Sequence, residues 1–188
     1  MSPTITYDQI VRHYVAFPPP KVHLPVDYEA PLSVAIQEYR SKVHPREILW
    51  VLCREEFMEV ADLRGFSLWM ARIVAPLVTD HLHLRAIAVA SIYLKGYATE
   101  GELAEVREEL INTYPCDISR SGSIEHIIWC VVNQVVSVVP FPHSAACAIG
   151  YYLRGNPMGD TVFGTAVVDK LLEYFVARET GVAFEWVG

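Results

Sequence analysis

The sequence predicts an all-α fold, a single-domain helical bundle, on three observations. A Leu-cation-Gly stop signal recurs three times, one helix start carries a complete capping box, and apolar residues fall at helical spacing through most of the chain. The first helix is expected over 6–16. The stretch Phe17 to Pro31 follows, with Pro18, Pro19, Pro20, Pro25 and Pro31, and is expected to run extended over the bundle. Helices are then expected over 30–43 and 45–64, the second with Pro45 in its first turn, where the missing N–H costs nothing. Leu63-Arg64-Gly65 reads as the stop of that helix, and Ser67 as the N-cap of the next, 67–78.

The helix 82–95 is expected to end at Leu94-Lys95-Gly96, where the cation suits the C-terminal dipole and glycine the left-handed cap. Thr99 and Glu102, followed by Leu103, Val106 and Leu110, form the capping box of a helix over 99–113. Ser123 and Asp160 read as N-caps of helices 123–138 and 161–178. Between those two lies 143–154, stopped by Leu153-Arg154-Gly155. Strands are not required, apart from a short extended tail at Val182 to Val187. No domain boundary is visible, so residues 1–188 are expected to form one domain, with 1–30 supplying a helix and an extended segment packed on the bundle.

A faint internal repeat aligns 86–96, AIAVASIYLKG, with 145–155, AACAIGYYLRG, at an offset of 59 residues. Two readings stand: two buried helices sharing a stop signal, or two helical hairpins packed with pseudo-symmetry.

Hydrophobic residues make up 52 % of the 188 and charged residues 20 %, which excludes a disordered chain. Met1 to Phe17 carries Asp8, Arg12 and His13 without an apolar core, so no signal peptide is expected. The longest apolar run, Ile127 to Val139, holds Asn133, Gln134 and Ser137, and falls short of the roughly 18 apolar residues of a membrane span. A cytoplasmic protein without membrane contact is the expectation. Its formal charge of −7, with no extended Lys/Arg cluster, disfavours nucleic-acid binding. Cys53, Cys116, Cys130 and Cys147 form no Cys-x-x-Cys pair and are expected to be reduced thiols.

No Gly-x-Ser-x-Gly, phosphate loop, Gly-x-Gly-x-x-Gly or His-Glu-x-x-His is present, so no catalytic residue, cofactor or metal is assigned. His126 with Cys130 and His143 with Cys147 have the i, i+4 spacing of helix-borne zinc ligands. A hairpin turning at Pro140 to Pro142 would hold the two histidines on the order of 15–20 Å apart, too far for one tetrahedral site. His81 and His83, near a helix start, read as solvated. His126, Cys130, Asn133 and Ser137 share one face of the helix 123–138. That stripe is either a seam satisfied by Tyr151 or Arg154 of the helix 143–154, or a ligand pocket.

Two acidic faces remain. Glu55, Glu59 and Asp62 are expected on one solvated side of the helix 45–64. Glu100, Glu102, Glu105, Glu108 and Glu109, set against Arg107, give the helix starting at Thr99 a net −4. This exceeds what capping needs and marks a surface for a partner protein with a basic face.

Ala86-Ile87-x-Val89-Ala90-x-x-Tyr93-x-x-Gly96-x-Ala98-Thr99-x-x-Glu102-Leu103-Ala104, with Leu49-Trp50-x-x-Cys53 upstream, resembles a group of helical bacterial and phage-borne chains known as putative immunity proteins of polymorphic toxin systems. The similarity covers roughly residues 48–110. Further on, Tyr114-Pro115-Cys116 breaks this chain where those continue into long Ala-rich helices. The resemblance implies an all-helical, non-enzymatic protein that neutralises a toxin or a host defence component by binding it. The alternative is a small-molecule binder or minor enzyme using the His126 to Ser137 stripe.

Overall fold

A computed structural model describes residues 4–14, 24–114, 123–153 and 157–186; side chains 14, 151, 152 and 157–161 lie outside the description. Among the described residues, nine α-helices carry the fold: α1 Tyr7–Tyr14, α2 Leu32–Tyr39, α3 Pro45–Leu52, α4 Val60–Val74, α5 His81–Leu94, α6 Glu100–Thr113, α7 Ile124–Val136, α8 Pro142–Leu153 and α9 Pro157–Thr180. The protein is all-α apart from one small sheet, as expected. None of these helices is long and apolar enough to cross a membrane.

The apolar helix α7 occupies the centre and packs against α4, α5, α6 and α8. Its Val131, Val132, Val135 and Val136 are wholly buried, as the stiff, branched side chains of a core helix should be. The aligned segments of the internal repeat lie on α5 and α8, both of which pack on α4 and α7. Their first residues, Ala86 and Ala145, are equally buried.

Local punctuation explains most helix ends. Pro45 stands in the first turn of α3, while the His44 ring accepts the Arg46 N–H at 3.2 Å. Ser123 caps α7 by accepting the His126 N–H, also at 3.2 Å. Gly96 ends the α5 region at φ 76°, in the left-handed conformation that favours glycine.

Several expectations are corrected. The helix 45–64 is two helices, because the chain turns at 53–59 to bury Phe57 and Met58. Arg54 stabilises that turn, donating from Nε to the Trp50 carbonyl at 2.9 Å and stacking over the Trp50 ring. Leu63-Arg64-Gly65 lies inside α4 rather than at a helix end, and Ser67 is a buried mid-helix residue, not a cap. Long-range contacts override the stop signal. Arg64 reaches the carbonyls at the end of α7, and Gly65 leaves room for the Trp186 ring. Asp160 is not an N-cap, since α9 already begins at Pro157.

A further correction concerns strands. β1, Thr4–Thr6, pairs antiparallel with β2, Glu29–Pro31, with Ile5 opposite Ala30. Both of those inward-facing residues are buried, so the pleat covers one flank of the core. The Pro-rich stretch therefore ends in a turn at Pro25 to Tyr28 and a strand. No strand forms over 182–186; Trp186 instead docks into the core.

Candidate functional site

The capping box of α6 forms in full. The Thr99 hydroxyl accepts the Glu102 N–H at 3.2 Å, and Glu102 Oε2 accepts the Thr99 N–H at 2.7 Å. Leu103, Val106 and Leu110 point into the core, which turns Glu100, Glu102, Glu105, Glu108 and Glu109 outward; all five are exposed. Arg85 of α5 offsets part of this charge, binding Glu109 at 2.5 Å and Glu105 at 3.4 Å. Glu100 accepts the Tyr93 hydroxyl at 2.7 Å, which raises the Tyr93 pKa. The turn joining α5 to α6 displays Tyr97, 82 % exposed, three residues before Glu100. Ile92, on the last turns of α5, is 43 % exposed.

The second acidic face does not form as expected. Glu55 sits in the turn after α3 and Glu59 just ahead of α4, while Asp62 accepts Tyr174 OH at 2.8 Å and Trp186 Nε1 at 3.1 Å. Asp62 is thus a structural anchor for the C-terminal tail.

The stripe on α7 resolves into local pairs. Cys130 Sγ lies 3.4 Å from His126 Nε2, and the Ser137 hydroxyl donates to the Asn133 carbonyl at 2.6 Å. Ser137 is the C-cap of α7 and passes its own carbonyl to Arg64 at 2.8 Å. Tyr151 as a side chain and Arg154 altogether lie outside the described residues, as does Cys116.

His143 and Cys147 likewise pair with each other, at 3.4 Å. Each histidine thus engages its own cysteine, and among the described residues no group of three His, Cys, Asp or Glu side chains could hold a metal. His143 sits edge-on to Trp50 and close to Phe141. Burial, with Arg46 and Arg54 nearby, pulls its pKa from 6.5 down to about 4. Between those values the unfolded chain holds a proton that the folded protein lacks, so stability should fall as pH drops from 6.5 to about 4. His143→Phe keeps the ring contacts and should flatten that part of the profile. Urea midpoints of both proteins across this range check it, and parallel profiles would contradict it.

The most developed site was not legible as one in the sequence. Asp80 caps α5, accepting the Leu82 N–H at 2.8 Å and the His83 N–H at 3.2 Å on Oδ1. Its Oδ2 accepts the hydroxyl of Tyr114, the C-cap of α6, at 2.7 Å. That bond and the two backbone donors hold the Asp80 carboxyl below the usual range, while Tyr114 is raised. Far from being solvated, His83 is buried, stacks on Tyr114 at 4.7 Å, and sets Nδ1 3.4 Å from Asp80. Burial lowers its pKa, and Asp80 only partly opposes that.

Opposite stands the start of α7, where His126 and Trp129 stack at 6.4 Å. Between the three helix ends lies a cavity of about 490 Å³, walled by Val78, Ile128 and these rings. Of the α7 stripe, His126 alone belongs to it among the described residues. His83 Nε2 and Trp129 Nε1 are closed off from the cavity surface and have no hydrogen-bond partner among the described residues. Each such atom costs about 1–3 kcal/mol.

Comparison with models of known protein families, with curated proteins and with solved structures returns no match.

Proposed function

We propose that this protein binds another protein and blocks it, as an immunity-type protein or an inhibitor of a defence component does, through the outer face of the α5–α6 hairpin. The proposed setting is the cytoplasm of a bacterium, and the proposed partner carries a basic surface. Exposed ion pairs contribute only about 0–1 kcal/mol to folding, so the fold itself does not need five glutamates on one helix. Such a face speeds encounter with a basic partner and discriminates against acidic ones. The observation that carries the reading is Tyr97, 82 % exposed beside that acidic helix. Tyrosine supplies a large, rigid contact at low entropic cost and is enriched among the residues that dominate binding energy.

Affinity capture from bacterial lysate, with wild-type and Tyr97→Ala proteins as parallel baits, tests it. A basic protein should be retained by the wild type and lost from the variant, whose melting temperature should be unchanged. Equal capture by both would remove the hairpin turn from the interface, and no retention above bare resin would sink the reading.

A further inference from the structure

We infer that α1 is a strap that opens as one unit without global unfolding, and that the carboxylate of Glu56, in the turn between α3 and α4, is its latch. α1 spans only eight residues, Tyr7–Tyr14, short of the roughly 12–15 at which an isolated helix begins to hold in water. It therefore stays helical only while docked. Yet none of its described side chains, Tyr7 to His13, is buried. Among them Ile10 is the one apolar side chain packed against the main core.

What holds the helix down is largely polar and converges on one residue. Glu56 Oε1 accepts Gln9 Nε2 at 2.8 Å, and Oε2 lies 2.8 Å from His13 Nε2. Arg12 Nη1 stands 3.7 Å from Oε1. Gln9 also shapes the first turn of α1: its Oε1 accepts the Thr6 N–H at 2.9 Å, and its own N–H donates to the Thr6 hydroxyl at 3.4 Å. Losing Glu56 thus loosens the docking and, through Gln9, the start of the helix. Two neutral ties remain, Trp50 Nε1 donating to the His13 carbonyl at 2.7 Å and the Phe57 ring edge-on to His13.

The opening is internal rather than a fraying end. β1 precedes the strap and is fixed by Ile5, 2 % exposed and paired with buried Ala30. The hinge falls at Tyr7, whose N–H bonds the Tyr28 carbonyl at 2.9 Å. Ile10 lines an apolar pocket with Ile36, Ile48, Val51 and Leu52, and leaves it when the strap opens. Segments with few buried apolar contacts open at low free energy, whereas a wholly buried helix such as α7 exchanges through global unfolding.

Native-state hydrogen exchange of the whole protein, followed by NMR, tests this. The amides of Val11, Arg12 and His13 should be protected, yet exchange about a hundredfold or more faster than those of Val131 and Val132, after correction for intrinsic rates. Glu56→Ala should speed the α1 amides by about tenfold or more, because charge-assisted bonds are lost, while α7 and Ile5 keep wild-type rates. His13→Phe keeps the ring against Phe57 and the carbonyl that Trp50 uses, and deletes one latch bond. It should speed the same amides by about threefold. Equal protection of α1 and α7 in the wild type would overturn the proposal, as would unchanged α1 rates in Glu56→Ala. So would α1 and α7 rates rising by the same factor in both variants, since Glu56 and His13 would then act on the fold as a whole.

Discussion

Replacing Arg64 with methionine is expected to destabilise the protein by about 3 kcal/mol, one of the two largest single-residue effects predicted. Arg64 is 2 % exposed, yet no carboxylate faces it among its hydrogen-bond partners. Its Nη1 donates to the carbonyls of Val135 at 2.7 Å and Ser137 at 2.8 Å, and its Nη2 to that of Val138 at 3.3 Å. The guanidinium thus occupies the C-terminal end of α7, where orphaned carbonyls and the helix dipole both favour a cation. The Tyr93 ring, 5.3 Å away, covers another side. Hydrogen bonds to a charged group contribute about 1.5–3 kcal/mol each, partly offset here by the burial of the cation and its unpaired Nε. Methionine fills the stem's volume but leaves these carbonyls unmet. Lysine should recover little, because an ammonium lacks the planar fork. Guanidinium unfolding should show a lower midpoint at unchanged slope. A loss below about 1 kcal/mol would mean that the α7 carbonyls do not depend on Arg64.

Gly65→Ala should also destabilise, by about 2 kcal/mol, against the sign that helix propensity gives. In an ordinary helix interior the change would gain up to about 1 kcal/mol. Here a β-carbon would lie 2.3 Å from Cδ1 and 2.7 Å from Cγ of Trp186, so the ring must move. Trp186 is 8 % exposed, packs at 4.8–4.9 Å against Tyr174, Phe66 and Phe184, and donates to Asp62. Displacing it opens that aromatic cluster to water. With Trp186→Ala already in place, the same glycine substitution should become neutral or stabilising. A double-mutant cycle measures this reversal. The same cost in both backgrounds would show that Trp186 is not what Gly65 accommodates.

These two residues also show where sequence reading stops. Leu63-Arg64-Gly65 and Leu94-Lys95-Gly96 look alike, but only the second ends its helix, with Gly96 at positive φ. What separates them is distant in the chain: Arg64 meets a carbonyl 71 residues away, and Gly65 meets the C-terminal tail. Signals completed within one turn, such as Thr99 with Glu102 and Ser123 with the His126 N–H, were legible because both partners are local. The acidic face of α6 was legible for the same reason, since i, i+3 and i+4 spacing fixes which residues share a side. The cavity was not. Asp80 could have been read as an N-cap, but nothing local joins it to Tyr114 or brings the start of α7 opposite. The polar stripe on α7 had the right spacing, yet His126 pairs with Cys130 within the helix and the Ser137 hydroxyl bonds the Asn133 carbonyl at its end.

The most direct test of the proposed binding role is the affinity of the captured partner for Glu105→Lys/Glu109→Lys protein at low and at physiological salt. Both glutamates are exposed, and Arg85 is their only ion-pair partner among the described residues, so the variant should fold nearly as well as the wild type. The account predicts slower association and weaker binding, with the larger loss at low salt, where charge is least screened. Unchanged affinity at both salt concentrations would contradict it.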